Sequence, residues 1–281
     1  MKIALSSEST IDLSKELLAK YKIQTLPFNV LLGEEERKDG EFDPKEIFEY
    51  VKATKILPKT SAVNEFAYAE HFQNLLKEYD AVIHISLSSG ISSSCQNAKN
   101  AASKLSNIYV IDSKSLSTGI ALLAIYASSL IKEGKLNAAE IASAVESRVN
   151  DVQASFIIER LDYLYKGGRC SMLSLFGANL LKIRPQIIVK DGKMGAGRKY
   201  RGNMDRCVEQ YCKDTLEEFN NPDLSVAFIT HATATEGMVA AATKALKERG
   251  FKEVYETTAG GTISSHCGEN TLGILYINDG K

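Results

Sequence analysis

His84–Asn97 reads HISLSSGISSSCQN. An apolar run, Ala81, Val82, Ile83, Ile85 and Leu87, leads into it, six serines and one glycine follow, and an alanine-rich helical pattern at Ala98, Ala101 and Ala102 leads out. That order predicts a strand, a small-residue loop and the start of a helix. Such a loop gathers hydroxyls and free backbone N–H groups at the positive end of a helix, where hydrogen bonding and the helix dipole both favour an anion, a phosphate or a carboxylate. Serines also cap helices and fill turns when no ligand is present, so the segment alone leaves both readings open. Two catalytic templates fail on it. A nucleophile elbow needs glycine two residues before and two after its serine, and Gly90-Ile91-Ser92-Ser93-Ser94 has only the first. A P-loop must end in Gly-Lys-Ser/Thr, and this loop does not.

The chain around the loop is that of an ordinary globular protein: 281 residues, 44% hydrophobic and 25% charged. The longest apolar run, Ile120 to Ala127, is far short of a membrane span, so no stable membrane insertion is expected. The start, MKIALSSEST, passes from a short strand into polar residues without a cleavage signal, and a cytoplasmic location is the expectation. Five cysteines at 95, 170, 207, 212 and 267 form no CxxC pair, which argues against a disulfide framework and a structural zinc site. With 34 basic and 35 acidic side chains and no basic block, nucleic acid is not an expected partner.

Strand-like and helix-like segments alternate through the first half: strands at 2–5, 25–32, 81–87 and 108–111, helices at 14–20, 44–53, 65–78, 94–105, 116–132 and 138–149. This predicts a Rossmann-like α/β domain over 1–152, a parallel sheet covered by helices, with the serine loop at the carboxyl ends of its strands where ligands bind. From about residue 153 the texture changes to strands at 154–158, 186–190 and 194–201, a helix at 171–181 and a hairpin turn at Asp191-Gly192. Further alternation follows, with helices at 205–219 and 236–249 and strands at 225–230, 253–257 and 273–277. A second, mixed α/β domain over 153–281 is expected, with the ligand at the junction.

Three more places concentrate unusual chemistry. Pro58-Lys59-Thr60-Ser61 stands between two helices, and its hydroxyls suit an N-cap or a second anion contact. Lys166-Gly167-Gly168-Arg169 sets two glycines between two positive charges, with Arg184 and Arg201 later in the same half; a solvated basic turn is the plain reading. Ser264-Ser265-His266-Cys267-Gly268 places a histidine in a glycine-rich loop among hydroxyls, where it is either a hydrogen-bonded structural residue or a functional one.

These places, in this order, resemble the DegV family of bacterial fatty-acid-binding proteins. SSESTIDL, LPKTS, SLSSGISSSCQNA and VIDSKSLSTG carry the resemblance in the first half, and YLYKGGRCS, NLLKIRPQIIVKDGK, KYRG and SSHCGENTLG in the second. It implies a two-domain shell around one long-chain fatty acid, with the carboxylate near the domain junction and the acyl chain in an apolar tunnel. It also implies a carrier role without catalytic residues, metal or cofactor: a separate ATP-binding fatty acid kinase phosphorylates the bound carboxylate, and the acyl phosphate feeds phospholipid synthesis.

Carried onto this chain, the resemblance makes Thr60 and Ser92 donors to the carboxylate, with Ser61 and Ser93 beside them and His266 closing the clamp from the second domain. A buried carboxylate needs such donors, because leaving a charge unpaired in the interior costs several kcal/mol. Met172–Leu181 and Ile183–Val189, with Ile120–Leu130 after them, are the expected tunnel wall. Lys166, Arg169 and Arg201 are the expected kinase-docking charges. Three departures stand out. Ser93 occupies a turn position where the family has glycine, Glu8 replaces an aspartate, and Glu269 brings a carboxylate close behind His266. Two rival readings remain: an acyl-transfer or esterase-type enzyme with Ser92 as nucleophile and His266 as base, and a carrier of another small amphiphile.

Overall fold

A computed structural model describes residues 1–170 and 183–280. The helix expected at 171–181 lies outside the described residues. The first half forms β1 (Ile3–Glu8), α1 (Lys15–Tyr21), β2 (Ile23–Leu26), β3 (Asn29–Leu32), β4 (Glu35–Lys38), α2 (Lys45–Thr54) and β5 (Lys59–Ser61). It continues with α3 (Glu65–Leu76), β6 (Ala81–Ser86), α4 (Ser94–Ala102), β7 (Ile108–Asp112), α5 (Thr118–Glu133) and α6 (Ala138–Glu146). β2, β1, β6 and β7, in that spatial order, make a four-stranded sheet, parallel throughout. Every residue of β6 is buried, as a central parallel strand covered on both faces requires.

The second half contributes β8 (Val152–Ile157), α7 (Asp162–Lys166), β9 (Ile183–Lys190), β10 (Lys193–Arg201), α8 (Met204–Glu218) and β11 (Val226–Ala232). After these come α9 (Glu236–Arg249), β12 (Glu253–Thr258), α10 (Gly261–Cys267) and β13 (Thr271–Ile277). Its strands form a six-stranded mixed sheet in the order β10-β9-β8-β13-β11-β12, in which only β11 and β12 run parallel. The α/β class and the two different sheets match the sequence reading.

Four local expectations need correction. The strand expected over 25–32 is broken at Pro27-Phe28, since proline brings no N–H to a ladder. Its second part, β3, joins β4 and β5 in a small antiparallel sheet that the sequence pattern did not reveal. Lys59–Ser61 is thus a strand, and the cap of α3 is Asn64, whose side chain accepts from Ala67 N. The stretch before Cys267, read as a loop, is the helix α10.

α5 lies between the two large sheets, packing on β1, β6, β8, β11 and β13. That explains the apolar run from Ile120 to Ala127, most of which is buried: it is core. No helix among the described residues is long and apolar enough to cross a membrane.

Two braces fasten the halves. In the first, the hairpin turn Asp191-Gly192, with φ of 51° and 78°, is the mirror-image turn that a two-residue hairpin favours. Its Gly192 carbonyl accepts from Ser88 Oγ at 2.7 Å. Gly90 lies so near that a Cβ there would stand 2.4 Å from the same oxygen, which is why the loop carries glycine at this point. In the second, the carboxylates of Asp12 and Asp39 reach the N-terminus of α10. Asp12 Oδ1 accepts from Gly260 N at 2.8 Å, Asp39 Oδ1 from Gly261 N at 2.6 Å and Asp39 Oδ2 from Thr262 N at 3.1 Å. α10 has no side-chain cap of its own, and Asp39 does that work from more than two hundred residues away. Asp39→Ala is therefore expected to lower the unfolding free energy by roughly 2 kcal/mol, read as an earlier urea midpoint at unchanged slope. An unmoved midpoint would show that the cap adds nothing.

Candidate functional site

At the carboxyl edge of the parallel sheet, where α10 and the β9–β10 turn close over the serine loop, lies a cavity of about 450 Å³. Its polar wall comprises Thr60 on β5, Ser89, Ser92 and Ser93 of the loop, Arg169, and Thr262 and His266 on α10. Its apolar wall includes Phe28, Leu87, Ile91, Leu116, Leu164, Met194 and Ile263. Behind Leu116, Ile263 and Cys267 a narrower crevice of about 30 Å³ continues between Ala154, Phe156 and Leu275, almost without polar surface.

Most of the six serines hold the loop in place. Ser86 donates to Glu8, Ser88 to Gly192 O, and Ser89 Oγ to Asp112 Oδ2 at 2.5 Å. Ser94 Oγ accepts from Val63 N, tying the loop to the residues after β5. Ser92 and Ser93 are left for the cavity. Ser93 occupies the cap position of α4 with helical φ and ψ and no side-chain cap bond, so its side chain is not consumed by the helix. Ser92 Oγ accepts from Ser94 N at 3.2 Å and gives its proton to Ser94 Oγ at 3.1 Å, from which rotation of the hydroxyl can turn it into the cavity.

The closest polar pair across the cavity joins the halves: Thr60 Oγ1 and His266 Nε2 are 2.8 Å apart. His266 Nδ1 is buried and has no hydrogen-bond partner among the described residues. A buried lone pair is tolerated better than a buried N–H without an acceptor, so the network assigns the ring proton to Nε2. Nε2–H then donates to Thr60 Oγ1, and the Thr60 hydroxyl is free to donate into the cavity. Gly167 makes room for the ring, since a Cβ there would lie 2.7 Å from Nδ1. Burial first, and the charge of Arg169 second, push the His266 pKa down from 6.5 to about 4, so the imidazole is neutral at pH 7. Burial raises the Cys267 thiol to about 12 and leaves it protonated.

Thr60, Ser92, Ser93 and His266, named from the sequence, therefore share one cavity. Ser61 does not line it: Thr60 and Ala62 do, and side chains alternate along a strand. Arg169, expected on a docking surface, is exposed and also stands on the cavity wall, where its Nη1 donates to Gly167 O at 2.5 Å. Lys166 faces a separate groove with Lys52, Lys55, Arg160 and Glu269. Glu269 is thus turned away from the head of the cavity. Arg201 ends β10, seven residues beyond the cavity-lining Met194, or about 20 Å along a strand. The nucleophile–base pairing of Ser92 with His266 finds no support, since His266 Nε2 faces Thr60 while Ser92 Oγ bonds Ser94. Nothing in 183–189 or 120–130 lines this cavity among the described residues, because Ile187, Val189 and Ile120 are core, and 172–181 lies outside the described residues. Sequence reading missed Phe28, Leu116, Leu164, Met194 and Ile263; only their places just before or after the polar motifs hinted at them.

The model of the family described as "Uncharacterised protein, DegV family" matches residues 2–279. Protein DegV of Bacillus subtilis is 32% identical over 284 residues, covering 98% of this chain and 99% of that protein. A fatty acid-binding protein of Thermotoga maritima is 28% identical over 283 residues, covering 97% and 96% respectively. Among solved structures, one describing fatty acid binding of a DegV family protein from Thermus thermophilus superposes with a TM-score of 0.91 at 26% identity, covering 99% of this chain and all of that one. A whole-length family match, a whole-length relative and the same fold agree: the chain belongs to the DegV family.

Proposed function

We propose that this protein binds a long-chain fatty acid, holds its carboxylate between Thr60, Ser92 and His266, and presents it to a separate ATP-binding fatty acid kinase. The observation that carries the reading is the Thr60–His266 pair, 2.8 Å apart with a neutral imidazole, on the wall of a cavity lined besides by hydroxyls, apolar side chains and the single cation Arg169. Relatives described as fatty acid-binding proteins lend it support. Two hydroxyl protons aimed at one anion satisfy its oxygens without a tight ion pair, which suits a group that must later react. The acyl chain would lie along Leu116 and Ile263 toward Phe156, and each methylene taken out of water contributes about 0.8 kcal/mol. The head group therefore sets orientation more than affinity. The 1–152 and 153–281 segments are the two domains in this reading, with the carboxylate at their seam. A cytoplasmic site of action belongs to the same reading.

Native mass spectrometry of the purified protein is expected to show a bound fatty acid, and the stripped protein to bind palmitate. Thr60→Val and Ser92→Ala are each expected to weaken palmitate binding about tenfold, the worth of one hydrogen bond to a charged group. No lipid recovered and no palmitate bound would refute the carrier.

His266 reports the head group directly. In the empty protein its lowered pKa means that the unfolded chain takes a proton first, so stability is full above pH 6.5 and falls by roughly 3 kcal/mol as pH drops to about 4. A carboxylate beside the ring stabilises the imidazolium and raises that pKa. Ring NMR of His266 should titrate near 4 without ligand and distinctly higher with palmitate; identical curves would remove the carboxylate from this site.

For the kinase step, Arg169→Glu is expected to slow acyl-phosphate formation by a cognate kinase several-fold, an effect that added salt reduces in the parent protein. Unchanged rates at low salt would exclude Arg169 from docking.

A further inference from the structure

The cavity and the narrow crevice behind it share three lining side chains, Leu116, Ile263 and Cys267. These are the lips of a constriction between the two spaces, and Leu116 and Cys267 are only 5% and 4% exposed. Beyond the lips, between Ala154, Phe156, Gly273 and Leu275, the space is about 30 Å³, room for a water-sized group or two. An acyl chain reaches that far only by parting them.

One carboxylate holds both sides of the constriction. Asp12 Oδ2 accepts from Ser117 Oγ at 2.5 Å, next to Leu116 in the chain, and Asp12 Oδ1 accepts from Gly260 N at 2.8 Å, the cap residue of α10. Ile263 and Cys267, four residues apart on α10, stand one above the other on the helix face that lines the cavity. The Leu116 side is strained. Ser117 has φ 52° and ψ −139°, a combination that glycine takes readily and a residue with a Cβ does not. Its flanks are fixed as well: Ser115 O accepts from Ser88 N at 3.0 Å, and Thr118 Oγ1 lies 2.6 Å from Thr230 Oγ1. Leu116 is thus carried on a strained turn pinned on both sides. Such an outlier persists only where the surrounding structure imposes it, and what it sets here is the place of one side chain on the cavity wall.

We infer that Leu116, Ile263 and Cys267 select the ligand by acyl-chain length, and that Asp12 and Ser117 are positioning residues which set the width between them. The inference rests on the fatty-acid reading given above. A chain that ends in front of the lips is bound without movement. A longer one must separate side chains that are packed in place, and each further methylene then gains less than it would in open apolar space.

The test measures dissociation constants of decanoate, laurate, myristate, palmitate and stearate for the full-length protein stripped of lipid and for its Leu116→Ala and Ser117→Gly variants. In the parent each added methylene should tighten binding about fourfold until the chain meets the lips, and that gain should stop before stearate. In Leu116→Ala, which removes one lip, the gain should run on to stearate and raise the stearate-to-laurate affinity ratio about tenfold. Ser117→Gly removes both the bond to Asp12 and the backbone strain, and should move the ratio several-fold in the same direction. A merely structural role for Ser117 would weaken every acid by one factor and leave the ratio where it was, and that result overturns the assignment. A parent whose gain runs unbroken to stearate overturns it too. A parent that binds none of these acids overturns the fatty-acid reading itself. Should Leu116→Ala fail to fold, Ser117→Gly, whose backbone conformation suits glycine, decides the matter alone.

Discussion

Three backbone amides at the start of α10, those of Gly260, Gly261 and Thr262, end on two carboxylates from the other end of the chain, Asp12 and Asp39. The site depends on this junction. A seven-residue helix of sequence GTISSHC has little intrinsic tendency to form, yet it carries His266 in its last turn. Fixing its first turn fixes the imidazole about 8 Å further along the axis, where it meets Thr60. The junction has a cost, because burial first and the neighbouring Asp39 charge after it raise the Asp12 pKa well above 3.8. The stability that Asp12 contributes is thus complete at low pH and declines as pH rises through the raised value. Ser117 Oγ, donating to Asp12 Oδ2 at 2.5 Å, works against that rise.

The cavity uses charge sparingly. His266 is neutral, and Arg169, the one cation on the described wall, is exposed and bonds to Gly167 O. Of the two carboxylates bonded to the loop, Asp112 accepts from Ser89 and Glu8 accepts from four donors. The polar wall facing the interior consists of hydroxyls whose protons can rotate toward a guest. A wall of this kind stabilises an anion while leaving its oxygens reactive, whereas a bidentate guanidinium would hold it in one geometry.

Much of this was legible in the chain. Local patterns spoke clearly: the buried apolar run before the serine loop became β6, Asp191-Gly192 became a hairpin turn, and Thr60, Ser92 and His266 met in one cavity. What stayed hidden was set by partners distant in sequence. β5 is three residues long and exists because Val30 pairs with Thr60. α10 looked like a loop because its cap, Asp39, lies far away. Ser61 was grouped with Thr60 by adjacency, and the alternation of a strand that short could not be seen. The serines looked alike in sequence, and only the structure separates those whose hydroxyls brace the loop from Ser92 and Ser93. Lys166, Arg169 and Arg201 read as one basic set, but they stand in three different places.

The bonds that complete the cavity span long stretches of chain: 248 residues between Asp12 and Gly260, 206 between Thr60 and His266, and 104 between Ser88 and Gly192. Closing loops of that length is the slow part of folding, because the entropy is lost before the contacts form. The Thr60–His266 pair is therefore among the last features a folding chain acquires. The parallel sheet with its serine loop can form earlier, yet the cavity lacks His266 until α10 has docked. Completion of the cavity thus coincides with completion of the fold, and a half-folded molecule has no finished cavity.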